Sequence, residues 1–297
     1  MSDDLAIPSG PLGSPPQRLP ALGRSIHKGD RGRLLVVAGS RRYAGAAWLA
    51  AAGAARGGAG LVEVALPAEL AAELRAGAPG RILRGLPADH EGRLSFAALS
   101  ELRRAALGAD FVLVGPGLDS QGSLDQALRR LALELPRPLL LDACALGAIA
   151  RTEALDALKR TPAPRLLTPH PGEAARLLGS STAQVQADRE GAARSLAERS
   201  GAIVVLKGAG TLVVEGRRIT TCALGNPGMA RGGMGDVLAG LIAALAMQGL
   251  DPGDAARLGV WVHACAGDRA AARRGEHAML PEDLLEELPG VLTGCVG

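Results

Sequence analysis

The stretch NPGMARGGMGDVLAG, from Asn226 to Gly240, combines residue types and spacing suited to chemistry: Gly232, Gly233 and Gly235 lie directly beside Asp236. Val237, Leu238, Leu241, Ile242 and Leu245 follow at helical spacing, so a helix starts at the glycines. Its unpaired N–H groups and positive dipole end face a turn whose missing side chains let an anion approach the backbone. Asp236 sits at that mouth, either as a helix cap or as a base beside a bound phosphate. The clustered glycines favour the base, because a cap alone does not require close backbone approach. The chain has no GxxxxGK[ST] segment, and no GxGxxG follows a strand, which excludes a Walker loop and the dinucleotide fingerprint. An anion-binding turn with a carboxylate at its mouth suits phosphoryl transfer, with Asp236 as catalytic base.

Other residues could complete such a site. Lys207, Gly208, Ala209, Gly210 and Thr211 (KGAGT) join an apolar strand to the next one. They form either a plain glycine turn or a cradle of open amides and one lysine for phosphate oxygens. His170 stands between two prolines in TPHPGE at the end of a predicted strand, where it is either structural or ligand-facing. Glu173 falls in the first turn of the helix that follows, a position the dipole favours for an acid. Gly117, in the GPG after FVLVG, and Ala46, near the start of the first helix, have ordinary turn and packing roles as alternatives. Arg231 is either phosphate-facing or solvated.

The elements that must position these residues alternate in type. Apolar runs at Arg33 to Ala38, Gly60 to Ala65, Asp110 to Val114, Pro138 to Leu141, Arg165 to Leu167 and Ala202 to Leu206 read as strands. Helical patterns at Gly45 to Arg56, Ser120 to Leu133, Thr182 to Arg199 and Gly233 to Met247 separate or follow them. This is the signature of βαβ units and a mostly parallel sheet, and unbroken strands such as VLVG and LLLD suit burial on both faces. TLVVEG and RRITTC, around one glycine turn, predict an antiparallel hairpin after the parallel strands. Asp251 and Pro252 cap a closing helix in which Ala255, Leu258, Val262 and Cys265 recur at helical spacing. Residues 1–26 are expected to be a flexible tail and 27–297 one α/β domain.

Composition narrows the class of protein. A hydrophobic share of 47% over 297 residues supplies a substantial core. The formal charge of +3 is spread along the chain, without the clustered basic patch that nucleic acid binding needs. Cys144, Cys222, Cys265 and Cys295 show no CxxC spacing, which argues against a zinc site and a disulfide framework. No apolar run is long enough for a membrane span, the N-terminal stretch lacks the pattern of a signal peptide, and a cytoplasmic location is expected.

HKGDRGRLLVVAGS with the AGAA after it, RGGAGLVEVALP, GPG, LLLDACAL, TPHPGEAARLL, VVLKGAGT and GNPGMARGGMGDVLAG occur in the order found in the ADP-dependent NAD(P)H-hydrate dehydratases of the ribokinase-like superfamily. After residue 26 the chain resembles that family over nearly its whole length, with TPHPGE, KGAGT and GMAxGGMGD the specific elements. Ala44, where a proline often stands, and Arg231, in place of a small residue, depart from its pattern. The resemblance implies a three-layer sandwich, a mostly parallel central sheet with helices on both faces. It also implies dehydration of the S-epimer of hydrated NADH or NADPH (NADHX, NADPHX) with ADP as phosphoryl donor, giving NAD(P)H, AMP and phosphate. By the same resemblance Ala46, Gly117, His170 and Asp236 contact the hydrate. Lys207 to Thr211 and Gly235 hold the AMP portion, and Glu173 stands near Mg2+ through water. A homo-oligomer, with a tetramer as one form, is implied too, as is a separate epimerase as functional partner, since the epimerase domain of many bacterial relatives has no counterpart here. The alternatives are a small-molecule kinase of the same superfamily, acting on a vitamin precursor or a sugar, and a non-catalytic nucleotide sensor.

Overall fold

The computed structural model describes residues 15–75, 77 and 80–297. Among these, the strands β1 (Arg33–Val37), β2 (Leu61–Pro67), β3 (Ile82–Leu86), β4 (Phe111–Val114), β5 (Leu139–Leu141), β6 (Arg165–Leu167), β7 (Ile203–Leu206), β8 (Thr211–Glu215) and β9 (Arg218–Cys222) form one sheet. Their order is β3-β2-β1-β4-β5-β6-β7-β8-β9. Pairing is parallel from β3 to β7, and β8 and β9 close the edge as the expected antiparallel hairpin. β3 was not expected from the sequence. Its run ILRGL mixes Arg84 and Gly85 into an edge strand with little apolar pattern.

The strands alternate between two cores. Leu34, Val36, Leu113 and Leu140 point into one, while Leu35, Val37, Val112, Leu139 and Leu141 point into the other. Helices α1 (Ala44–Arg56) and α2 (Ala68–Leu74) cover the first face, and α3 (Leu99–Leu107), α4 (Ser123–Glu134), α5 (Cys144–Arg151), α6 (Pro171–Leu178), α7 (Thr182–Ala187) and α8 (Arg189–Ser200) cover the second. The closing helices α9 (Met234–Ala246), α10 (Pro252–Arg274) and α11 (Pro281–Thr293) return to the first face. The expected three-layer sandwich is therefore present.

The Thr182 to Arg199 pattern forms two helices rather than the one expected. Asp188 leaves helical geometry and its Oδ1 accepts the Gly191 N–H at 2.8 Å, so a good N-cap starts a new helix inside the apolar pattern. At the N-terminus, residues 1–14 of the expected tail lie outside the described residues. Leu19, however, is buried, pairs with Val296, and exchanges backbone hydrogen bonds with Cys295 and Gly297. That part of the stretch is anchored rather than loose.

Two packing features aim the site. First, α1 and α9 lie side by side: Leu49 faces Gly233, Gly53 faces Val237 and Gly57 faces Ala244, so both N-termini point the same way. A Cβ at Gly53 or Gly240 would overlap the backbone of the other helix, which is why these positions carry none. Secondly, the sheet reverses direction of growth between β1 and β4, and in open α/β sheets a crevice opens there at the carboxyl ends of the strands.

Candidate active site

The carboxyl ends of β1, β4, β5, β6 and β7 are tied together by backbone hydrogen bonds. Gly39 donates to Pro116, Gly115 to Val37, Asp142 to Val114, Thr168 to Leu141 and Lys207 to Pro169, at 2.8–3.2 Å. Gly117, Asp142, His170 and Lys207 all follow these strands, and the start of α9 brings Asp236 to the same edge. Gly117 lies against Tyr43 and Ala46 at the start of α1, since a Cβ on it would stand 2.8 Å from the Ala46 Cβ. Ala46 and Gly117 thus share one wall.

Lys207 is the electrostatic centre. Its Nζ donates to Asp142 Oδ1 at 2.7 Å and stands 3.9 Å from Glu173 Oε2. It also lies 3.4 Å from the place of a Cβ on Gly235, directly at the glycine turn. Asp142 is 1% exposed, and its Oδ1 also accepts the Thr168 hydroxyl at 2.8 Å. Burial by itself would lower the pKa of the Lys207 ammonium. Asp142, Glu173 and Asp236 outweigh that and hold it above its ordinary value, so the side chain is a fixed cation.

Asp236 behaves in the opposite sense. Burial, then repulsion from Asp142 and, more weakly, Glu173, with Lys207 acting against them, push its pKa up to about 7. No hydrogen bond from a described residue reaches its carboxylate, which the cap alternative would require. Gly233, at φ +94°, caps α9 in its place, and a Cβ there would stand 2.5 Å from Leu49 Cδ1. A free carboxylate that titrates near neutrality, at a helix N-terminus and beside a lysine, can take a proton while an anion sits on the turn. Behind the turn, buried His263 donates from Nε2 to the Met234 carbonyl at 3.0 Å; burial lowers its pKa to about 4 and keeps it neutral.

At the end of β6, His170 and Glu173 form a reciprocal cap on α6. His170 Nδ1 accepts the N–H groups of Gly172 and Glu173 at 3.0 and 3.3 Å, while Glu173 Oε2 accepts the His170 N–H at 2.8 Å. Nδ1 is therefore unprotonated, and Nε2, 3.4 Å from Glu173 Oε1, carries the proton. Burial lowers the His170 pKa against the pull of Glu173. Both residues thus have structural work, and half of the His170 side chain stays exposed at the crevice.

The chain as a whole has counterparts among known proteins. The model of the NAD(P)H-hydrate dehydratase family matches residues 34–290. The chain belongs to this family. It is 42% identical over 276 residues to the bifunctional NAD(P)H-hydrate repair enzyme Nnr of Moorella thermoacetica, covering 93% of this chain and 52% of that protein. With the enzyme of the same name from Vibrio cholerae it shares 39% identity over 277 residues, 93% of this chain and 52% of that one. It spans about half the length of these curated relatives. Among solved structures, an ADP/ATP-dependent NAD(P)H-hydrate dehydratase from Bacillus subtilis, co-crystallized with ATP/Mg2+, superimposes with a TM-score of 0.77 at 27% identity, covering 93% of this chain and 94% of that one.

Within this family framework, Asp236, Gly235, Lys207 and Glu173 come together, and Ala46 and Gly117 share a wall. Gly208 and Ala209 are exposed on the rim, and Gly210 and Thr211 lead into β8. Arg231 is exposed, and its Nη2 donates to the His277 carbonyl at 2.9 Å, which favours the solvated alternative. Sequence reasoning gave no role to Asp142, Thr168 or Asp268. Asp268 accepts from Gly225 N and Asn226 Nδ2 at 3.1 and 3.0 Å, which steadies the entry to NPGM. For Asp142 a signal existed: an acid directly after the buried strand LLL stands where parallel sheets open to ligands. No such signal marks Asp268, since only the return of α10 brings it within reach.

Proposed function

We propose that this chain dehydrates the S-epimer of hydrated NADH and NADPH with ADP as phosphoryl donor, returning NAD(P)H and releasing AMP and phosphate. The observation that carries the reading is the unbonded Asp236 carboxylate, with its pKa near 7, at the glycine turn that Lys207 also faces. The family membership and the ATP/Mg2+ named for the Bacillus relative support it.

In this reading the hydrate lies along Ala46, Gly117 and His170, with its ring hydroxyl against Asp236. Lys207 to Thr211 and Gly235 receive the AMP portion and the phosphates. Asp236 accepts the hydroxyl proton as that oxygen bonds to the β-phosphorus of ADP, and the bridging bond breaks to release AMP. Hydroxide is a poor leaving group, whereas the phosphorylated oxygen departs as phosphate, pushed by the ring nitrogen lone pair. Loss of a proton from the adjacent ring carbon restores the reduced nicotinamide. Lys207 stays protonated throughout and balances charge on the transferring group.

The residues present suit magnesium. Among the described residues no cluster of three or more His, Cys, Asp or Glu side chains forms a cage. Glu173 and Asp142 instead supply carboxylates beside a phosphate turn, and magnesium commonly keeps its waters and binds through one or two carboxylates plus substrate phosphates. Glu173 would hold it through water. When bound, it would neutralise phosphate charge and so favour transfer. The hydrate must arrive in its S form, so an epimerase activity is the partner this reading implies.

The test is incubation of hydrated NADH with protein, magnesium and ADP or ATP, following the near-ultraviolet absorbance of reduced nicotinamide and the products by mass. Recovery that is lost in Asp236→Asn is the expected result. Absence of recovery with either nucleotide, or accumulation of a stable phosphorylated product, would overturn the proposal.

A further inference from the structure

The glycine loop after β7 rests on a side chain that the reaction scheme does not use. Arg189 opens α8 directly after the Asp188 cap. Its Nη2 is shared among the carbonyl oxygens of Leu206, Lys207 and Gly210 at 3.3, 3.3 and 3.2 Å, and its Nη1 reaches Gln186 Oε1 at 3.1 Å. The guanidinium lies close against the loop, since a Cβ on Gly208 would stand 3.0 Å from Nη1. Burial lowers its pKa, and no acidic neighbour acts against that. Among the described residues, this one arginine thus binds three backbone acceptors and no carboxylate.

Peptide planarity gives this contact a consequence on the other side of the loop. In a trans peptide the N–H points opposite to the carbonyl of the residue before it. The Leu206 carbonyl faces Arg189, and the Lys207 N–H duly points away and donates to Pro169 O at 2.9 Å, on the strand-end side. By the same rule the Lys207 carbonyl on Arg189 turns the Gly208 N–H away from the guanidinium, where no described residue accepts it. Gly208 adopts φ +129°, a conformation that L side chains rarely take.

We infer that Arg189 is a positioning residue for nucleotide binding: by gathering the carbonyl oxygens of Leu206, Lys207 and Gly210 on one side of the loop, it presents the Gly208 amide on the other side to a phosphate oxygen of a nucleoside diphosphate. The inference rests on reading residues 207–211 as the nucleotide site. Arginine suits the task because its planar fork bonds several acceptors at once, which a lysine ammonium matches only in part. Without it the Lys207 and Gly210 carbonyls lose their shared donor, and the amide side of the loop at Gly208 loses its order.

The experiment measures ADP binding by calorimetry to the wild-type chain, Arg189→Ala and Arg189→Lys, with a cooperative unfolding transition required of each. Loss of the shared contacts is expected to raise the Kd for ADP about ten- to a hundredfold in Arg189→Ala. Arg189→Lys should restore part of the affinity, and low concentrations of guanidinium chloride should restore part of it in the alanine variant. At saturating ADP, the KM for the hydrate should stay unchanged. Equal ADP affinity in wild type and Arg189→Ala overturns the inference, as does a loss that guanidinium does not repair and that extends equally to the hydrate KM. If the alanine variant does not fold, Arg189→Lys decides, and wild-type affinity there overturns the idea. A wild-type chain that binds neither ADP nor ATP refutes the underlying site reading instead, a result distinct from all of these.

Discussion

A carboxylate held ready as a base near neutral pH weakens the fold that holds it, and Asp236→Asn should reveal by how much. Burial, with repulsion from Asp142 and then Glu173 only partly offset by Lys207, takes its pKa from 3.8 to about 7. The folded state therefore binds the proton more tightly than the unfolded chain does. Below the unfolded value both states are protonated and the penalty is absent; it grows as pH rises towards 7 and is constant above. A shift of about three units at about 1.4 kcal/mol each sets an upper bound of about 4 kcal/mol. Partial exposure lets solvent relieve some of this, so a gain of about 1–3 kcal/mol is expected for the asparagine variant above neutrality. Urea unfolding of both proteins, with nucleotide absent and divalent metal chelated, should show similar stability at a pH below that of free aspartate. The variant should pull ahead as pH rises through the window between the two pKa values, while its catalysis is lost. An advantage of the same size at both ends of that range, or an asparagine variant that is the less stable one above neutrality, would refute the reasoning.

The same titration should shape turnover: kcat/KM is expected to rise with pH through about 7, because only ionised Asp236 takes the proton, and to fall about tenfold per pH unit below it. Asp142→Asn removes one negative neighbour, so the acid limb should move to lower pH; a limb that stays in place would show that Asp142 does not act on the base. Gly240→Ala forces a Cβ into the Ala50 backbone and should cost about 1–3 kcal/mol in chemical denaturation, and an unchanged midpoint would contradict the packing of α1 on α9. His170→Ala removes an N-cap and should lower stability by about 1 kcal/mol. The hydrate KM separates its two roles, since a stability loss with unchanged KM would make the imidazole a cap only.

Much of the architecture was legible because the signals were local. VLVG, LLL and IVVL are unbroken apolar runs that suit a sheet covered on both faces, and one glycine turn between TLVVE and RITTC announces its hairpin. Where the local signal was weak or double, the reading failed. β3 carries an arginine and a glycine on a sheet edge, and Asp188 is equally at home in the middle of a polar helix face or as the cap that divides it. Leu19 gives no local sign that it will pair with residues at the far end of the chain.

By itself, the sequence determined the glycine turn, the helix after it, the carboxylate at its mouth and the family pattern around them, all of which follow from residues close together in the chain. It left open whether Asp236 is a cap or a base. The tertiary structure decided the setting of that carboxylate: among the described residues no hydrogen bond reaches it, and Asp142, Lys207 and Glu173 come to it from the ends of β5, β7 and β6. The physical reason is that burial and charge act through space: the field at Asp236 is a sum over groups that only the closed sheet brings together.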